Sequence, residues 1–218
     1  PGFGAAQTKA EGAGVSYATT SETYTARYIF ETIAIAFAIT EEAEEDNLYG
    51  SIGQRLARAA ARSMQHTKAV KSANIFNNGF DTTNYPGGDG VALLSASHPV
   101  AAGGNQSNIL ATAADLSETS LEDVLNMVRS MLDDQGIPAA LTPMKLCAPV
   151  QLQFIAQRIM FSNGRVDTNY NDLNAIKDMG LLSGGVVIDE RFTDPDAWFV
   201  KTDCPDGMKH ITRKSLQK

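Results

Sequence analysis

The stretch from Thr40 to Phe80 constrains this chain more than any other. It reads TEEAEEDNLYGSIGQRLARAAARSMQHTKAVKSANIFNNGF. Thr40 suits a helix N-cap, and Glu41, Glu42, Glu44 and Glu45 put negative charge at the positive end of a helix dipole. Leu48, Ile52, Leu56, Ala60, Met64, Val70, Ala73 and Phe76 recur near helical spacing. Alanine and arginine, both strong helix formers, fill the middle. Asn77, Asn78 and Gly79 form a stop signal. Unbroken, such a helix would have roughly 35 to 39 residues and a length of about 55 Å. Gly50 and Gly53 predict a kink or short break. One stripe is apolar with small side chains, and the other carries Arg55, Arg58, Arg62, Lys68 and Lys71. A rod this long exceeds one compact core and calls for several packing partners.

The segment before the rod, SETYTARYIFETIAIAFAIT, alternates. Ile33, Ile35, Phe37 and Ile39 are interleaved with alanines, which is a strand period. Tyr24, Tyr28 and Phe30 keep the opposite phase, so a bulge is expected near Glu31 and Thr32. The expectation is an extended β-arm with one face deeply packed. Residues Pro1 to Thr20 are rich in Gly, Ala, Thr and Ser and read as a flexible arm.

After the rod comes a turn-rich loop, DTTNYPGGDGVALLSASHPVAAGGNQSN, with a short strand expected at Val91 to Leu94. Ser117 to Gln135 reads as a helix. Thr119 and Glu122 are its expected capping box, Gly136 its C-terminal cap and Pro138 a block to continuation. Met144 to Ala148 reads as a buried strand between prolines. Pro149 opens a further helix to Phe161, with Leu152, Ile155, Ala156 and Ile159 inward. Asp167 to Asp178 is polar. Val186 to Ile188 and Trp198 to Val200 read as strands joined by a turn around Thr193 to Asp196. This order is α+β, without regular βαβ alternation.

The formal net charge is −7. Compact nucleic-acid binders are usually basic, so a dedicated DNA-binding module is disfavoured, although enclosing DNA is not. Cys147 and Cys204 lie far apart and make neither a zinc pattern nor a disulfide framework. They read as one buried and one free thiol. No signal-peptide order and no membrane-spanning apolar run occurs. The chain ends read as trimmed.

Asp89, Ser95 and His98 are close in sequence, which makes them candidates for a hydrolase triad. The nucleophile elbow Gly-x-Ser-x-Gly is missing, and a rigid His98-Pro99 turn is the preferred reading. His66, His98 and His210 lack metal-ligand spacing. The carboxylates from Glu41 to Asp46 read as a solvated first turn. Gly87-Gly88-Asp89-Gly90 lacks a following Lys-Ser/Thr and is no phosphate loop. Asn105-Gln106-Ser107 matches a glycosylation acceptor only formally. Arg55, Arg58 and Arg62 fit phosphate and a neighbour's acidic groups equally well. Tyr24, Tyr28 and Phe30, on a projecting arm, read as interface anchors. No residue set supports turnover: no catalytic, cofactor-binding or metal residues are assigned, no cofactor is expected, and the chain reads as a structural or assembly protein.

Four segments taken together resemble a tailed-bacteriophage major capsid protein, most closely the Mu-like major head subunit group. They are the run from Thr23 to Phe80, DGVALLSASHPVAAGGNQSN, LTPMKLCAPVQLQFIAQRIM and FTDPDAWFV. The resemblance implies the α+β tailed-phage major capsid fold, shared with encapsulins, with an extended β-loop, a long spine helix, and peripheral and axial domains. It divides the chain into a flexible arm (1–20), extended β-loop (21–40), spine helix of the peripheral domain (41–80), and axial domain with the rest of the peripheral domain (81–218). It implies a head protein, not an enzyme, that self-assembles as hexamers and pentamers into an icosahedral shell around double-stranded DNA, held without sequence specificity. Scaffold, portal and decoration proteins are further partners, and no membrane is involved. The location is the virion, after assembly in the bacterial host cytoplasm. The subunit interface is expected at Tyr24, Arg27, Tyr28, Phe30, Glu41, Glu42, Arg55, Arg58 and Arg62. The alternatives are an encapsulin-like compartment shell and a small hydrolase using Ser95 and His98. The sequence departs from the family in a shorter extended loop and an earlier stop. No residue is assigned to the lysine–asparagine crosslink of some members.

Overall fold

The computed structural model describes residues 3–15, 17–18, 24–25, 27–46, 52–165, 172–205 and 207–213. The expected rod is two helices. Helix α1 is Glu41–Glu45, and α2 is Ile52–Asn77, 26 residues or about 39 Å long. Thr40 occupies the N-cap of α1 with extended backbone but makes no side-chain capping bond. Asp46 ends α1; Leu48 and Gly50 lie outside the described residues. Gly53 is helical rather than a break, with room for a Cβ 3.5 Å from Ile39 Cδ1. The stop is where Asn77 to Gly79 place it: a turn follows, with the Gly79 N–H donating to Phe76 O at 3.0 Å.

The hydrophobic core lies in the second half of the chain. Strand β3 (Pro143–Ala148) is central, with β4 (Val186–Ile188) parallel on one side and β5 (Phe199–Thr202) antiparallel on the other. Both strands expected around the Thr193–Asp196 turn are present, with β5 starting one residue later at Phe199, and they lie on opposite sides of β3. Helix α3 (Glu118–Ser130), a 3-10 turn at Val150–Leu152 running into α4 (Gln153–Phe161), and the short α5 (Ala175–Met179) pack around this sheet. Leu116, Leu121, Leu125, Leu146, Ala156, Ile159 and Ile176 meet in one cluster. Ile155 was expected inward but is 37% exposed, and Met160 is buried in its place.

Several local expectations shift. Ser117, not Thr119, caps α3: its Oγ accepts the Ser120 N–H at 3.2 Å, while its own N–H donates to Ser120 Oγ at 2.9 Å. This is a capping box with serine in place of the usual Glu. Helix α3 stops at Ser130, and Gly136 (φ 78°) serves a tight turn instead of a helix cap. The Asp133 carboxylate fixes that turn by accepting the N–H groups of Gln135 and Ile137. Val91 to Leu94 forms no strand. His98–Pro99 (β1) pairs with Asn105–Gln106 (β2) in a two-stranded ribbon.

The arm departs most. Among its described residues there is no strand and hence no bulge, because nothing pairs with it. Ile35, Phe37 and Ile39 are 36–49% exposed, so the deeply packed face is absent too. In residues 3–15 and 17–18 there is neither helix nor strand.

Candidate assembly surface

The arm follows one side of α2. Glu31 pairs with Lys71, while Ile39 sits against Gly53. From Glu31 to Ile39 an extended chain covers ~26 Å, and from Lys71 back to Gly53 the helix covers ~27 Å. The two lengths agree, so arm and helix run side by side in opposite directions. Gly53, Leu56, Ala60, Met64 and Thr67 are half-buried along this side. Farther up the arm, Tyr24 Oη donates to Pro99 O at 2.9 Å, and the Arg213 guanidinium lies 6.0 Å from the Phe30 ring centre.

These contacts leave most of the arm uncovered. Tyr24, Tyr28, Ile29 and Phe30 are 41%, 61%, 83% and 51% exposed, and Arg27 is exposed as well. On α2, Arg55, Arg58 and Arg62 are exposed, as are Glu41 and Glu42 on α1. Among the described residues, the ion pairs are Lys71–Glu31, His98–Asp89, Arg165–Glu118 and Arg191–Asp189; none involves those arginines or glutamates. The expected interface residues therefore lie on three elements, the arm, α1 and α2, and all of them are exposed. Sequence reasoning missed that the arm lies along its own helix. The missing signal was the match between two lengths, not any single residue.

The Ser95–His98 region does not assemble a triad. His98 Nδ1 and Asp89 Oδ2 are 2.6 Å apart, which is an orienting contact. Ser95 Oγ, however, accepts the Ser97 N–H at 3.2 Å, and His98 Nε2 is buried without a hydrogen-bond partner. Burial pushes the Asp89 carboxyl up, but the bonds from His98 and the Val91 N–H outweigh it and hold it below its ordinary value. The pair lines a cavity of about 380 Å³ with Tyr24, Met131 and Leu132. Its evident work is local: Asp89 ties the Gly87–Val91 turn to the ribbon that receives Tyr24. No group of side chains suited to a metal occurs among the described residues. Burial raises the Cys147 thiol, whereas Cys204 is exposed; both are free. Among the described residues, no helix is long and apolar enough to cross a membrane.

A small α+β core carrying a long, largely uncovered arm and helix defines a protein whose surface, rather than a pocket, is its notable feature. The chain belongs to the phage capsid protein family, whose profile matches residues 23–212. It is thus a structural component of a phage capsid, and of the virion. Comparisons with curated proteins and with solved structures gave no match.

Proposed function

We propose that this chain is the repeating shell unit of a tailed-phage head, of the Mu-like kind. Copies of it form hexamers and pentamers that close into an icosahedral shell around double-stranded DNA, assembled in the bacterial host cytoplasm. In this reading residues 21–40 are the extended loop and α2 is the spine of the peripheral domain. Residues 81–218 supply the axial domain and the remaining peripheral part. Scaffold, portal and decoration proteins join the same particle.

The observation that carries the reading is the exposure of Tyr28, Ile29 and Phe30 on an arm that makes only thin contact with its own helix. Burial recovers roughly 25 cal/mol for each Å² of apolar surface. Three large side chains left in water by every copy are therefore a repeated driving force for association. A net charge of −7 keeps DNA from adhering to the wall. Recognition of DNA is by enclosure, without sequence readout.

Electron microscopy of the expressed protein tests this directly. Closed particles are expected from the wild type and not from Tyr24→Ser/Tyr28→Ser/Phe30→Ser. Normal particles from the triple variant would remove the arm from the interface. Purified shells containing cargo protein instead of DNA would indicate an encapsulin-like compartment.

A further inference from the structure

Helix α2 presents two unlike faces. The side toward the arm runs through Gly53, Leu56, Ala60, Met64 and Lys71. About half a turn away lie Arg55, Arg58, Arg62 and His66, all exposed. Followed toward the C-terminus, this second face becomes Ala73, 2% exposed, and then Phe76. Phe76 packs on Phe199 at 5.0 Å and on Phe192 at 5.6 Å between ring centres. The face that grips the body at one end thus continues outward as a row of cations.

The charge distribution in the sequence is equally one-sided. From Asn47 to Phe80 there is no acidic residue. Immediately before, EEAEED concentrates carboxylates, and Glu41, Glu42, Glu45 and Asp46 are exposed. None of these four takes part in an ion pair among the described residues. Helix α1 sits near the start of α2, where Ile39 meets Gly53. Arg62 lies ~15 Å farther along the axis than Ile52. Each copy therefore holds a cationic face and an acidic segment that do not satisfy each other.

We propose that the Arg55, Arg58 and Arg62 face of α2 receives the Glu41–Asp46 segment of a second copy. This rests on the shell reading above and names one of its contacts. Ala59 and Ala69 lie on the same face and keep it low, so another helix can approach to about 8–10 Å. A nucleic-acid duplex fits less well. The chain is acidic overall, with a net charge of −7, and α1 adds exposed carboxylates near the start of the same helix, a balance that disfavours phosphate. A partner that brings carboxylates to the arginines, and leaves its own arginines for the next copy, extends naturally around a ring. Such a head-to-tail contact closes when the rotation between copies closes.

The test is a charge swap read by particle yield in sedimentation and electron microscopy, with circular dichroism confirming that each subunit folds. Arg55→Glu/Arg58→Glu/Arg62→Glu should lower the yield at least about tenfold, as should Glu41→Lys/Glu42→Lys/Glu45→Lys. Combining all six substitutions should restore particles. Wild-type yields from either triple variant, or no recovery in the combined one, would overturn the contact. Particles of the arginine variant that form normally but have lost their DNA would overturn it in favour of a phosphate contact. If the wild type itself forms no particles, the shell reading fails first, and that outcome is distinguishable from the others.

Discussion

Asn77 fastens the end of α2 to Arg191, more than a hundred positions later in the chain. Its Nδ2 donates to the Arg191 carbonyl at 3.0 Å, while its Oδ1 accepts the Thr193 N–H at 3.2 Å. Beside this amide, Phe76, Phe192 and Phe199 form a ring cluster. Together they turn a long helix into a lever with one fixed end. Asn77→Ala removes both bonds and leaves the partly buried Arg191 carbonyl without its donor, while the exposed Thr193 N–H can turn to water, so it should cost about 1–2 kcal/mol. Urea unfolding of the subunit measures this. Asn77→Asp keeps the acceptor and loses the donor, and should fall between the two.

Asn174 does comparable work inside the core. It is fully buried, and its Nδ2 lies 2.6 Å from Ile159 O, 3.2 Å from Ser162 O and 3.1 Å from Ser162 Oγ. Its Oδ1 also accepts the Lys177 N–H, which caps α5. One amide therefore ends α4 and starts α5. Asn174→Ala should destabilise by about 2–4 kcal/mol, since it strands buried carbonyls and removes a helix cap. Asn174→Asp should be no better, because a carboxylate cannot donate to those carbonyls. Thermal unfolding of both variants checks the prediction.

These two asparagines mark where sequence reading stops. Asn77 was legible as a stop signal, but its partners lay too far along the chain to be seen. Asn174 sits in a polar stretch beside other asparagines, where nothing marks one as buried. Strand β3 was legible because prolines bracket an apolar run. Its neighbours were legible as strands but not as its partners, since short strands carry little information about pairing. The alternation of Ile33 to Ile39 reads as a strand, yet a ladder needs a second strand, and the described residues supply none for the arm. The exposure of Arg55, Arg58 and Arg62 followed from helical periodicity alone. The course of the arm along α2 did not, because it is set by tertiary contact.

Gly184 shows a close approach of two backbones. A Cβ there would stand 2.8 Å from Met144 O, and the Gly184 N–H donates to the same oxygen at 2.7 Å. Gly184→Ala must push β4 away from the central strand just where their parallel pairing begins. The expected cost is about 1–3 kcal/mol, read as a lowered urea midpoint. Gly90→Ala, at φ 82° but in open space, should cost less than Gly184→Ala because no neighbour must move.

The Asp89–His98 contact predicts an acid limb of stability. The folded Asp89 carboxyl titrates below its ordinary value of 3.8. Its contribution is therefore fully present above that value and is lost as pH falls through the lowered folded value. Asp89→Asn should be less stable than wild type at neutral pH, and the gap should close on acidification below about 3.8. A gap independent of pH would assign the effect to the shape of the Gly87–Val91 turn rather than to charge.

The bond between the arm and its own helix should prove weak. Lys71 and Glu31 have side chains 49% and 64% exposed, and exposed pairs of this kind contribute about 0–1 kcal/mol. Lys71→Ala should accordingly leave the unfolding free energy of the lone subunit within about 0.5 kcal/mol of wild type. Protease should still cut the arm readily in free subunits of both proteins, since Tyr28 and Ile29 stand in water. In assembled particles the same sites should be protected, because burial of those side chains is the proposed driving force. Equal cleavage in free and assembled wild-type protein would mean that the arm stays on its own helix and that the shell is held together elsewhere.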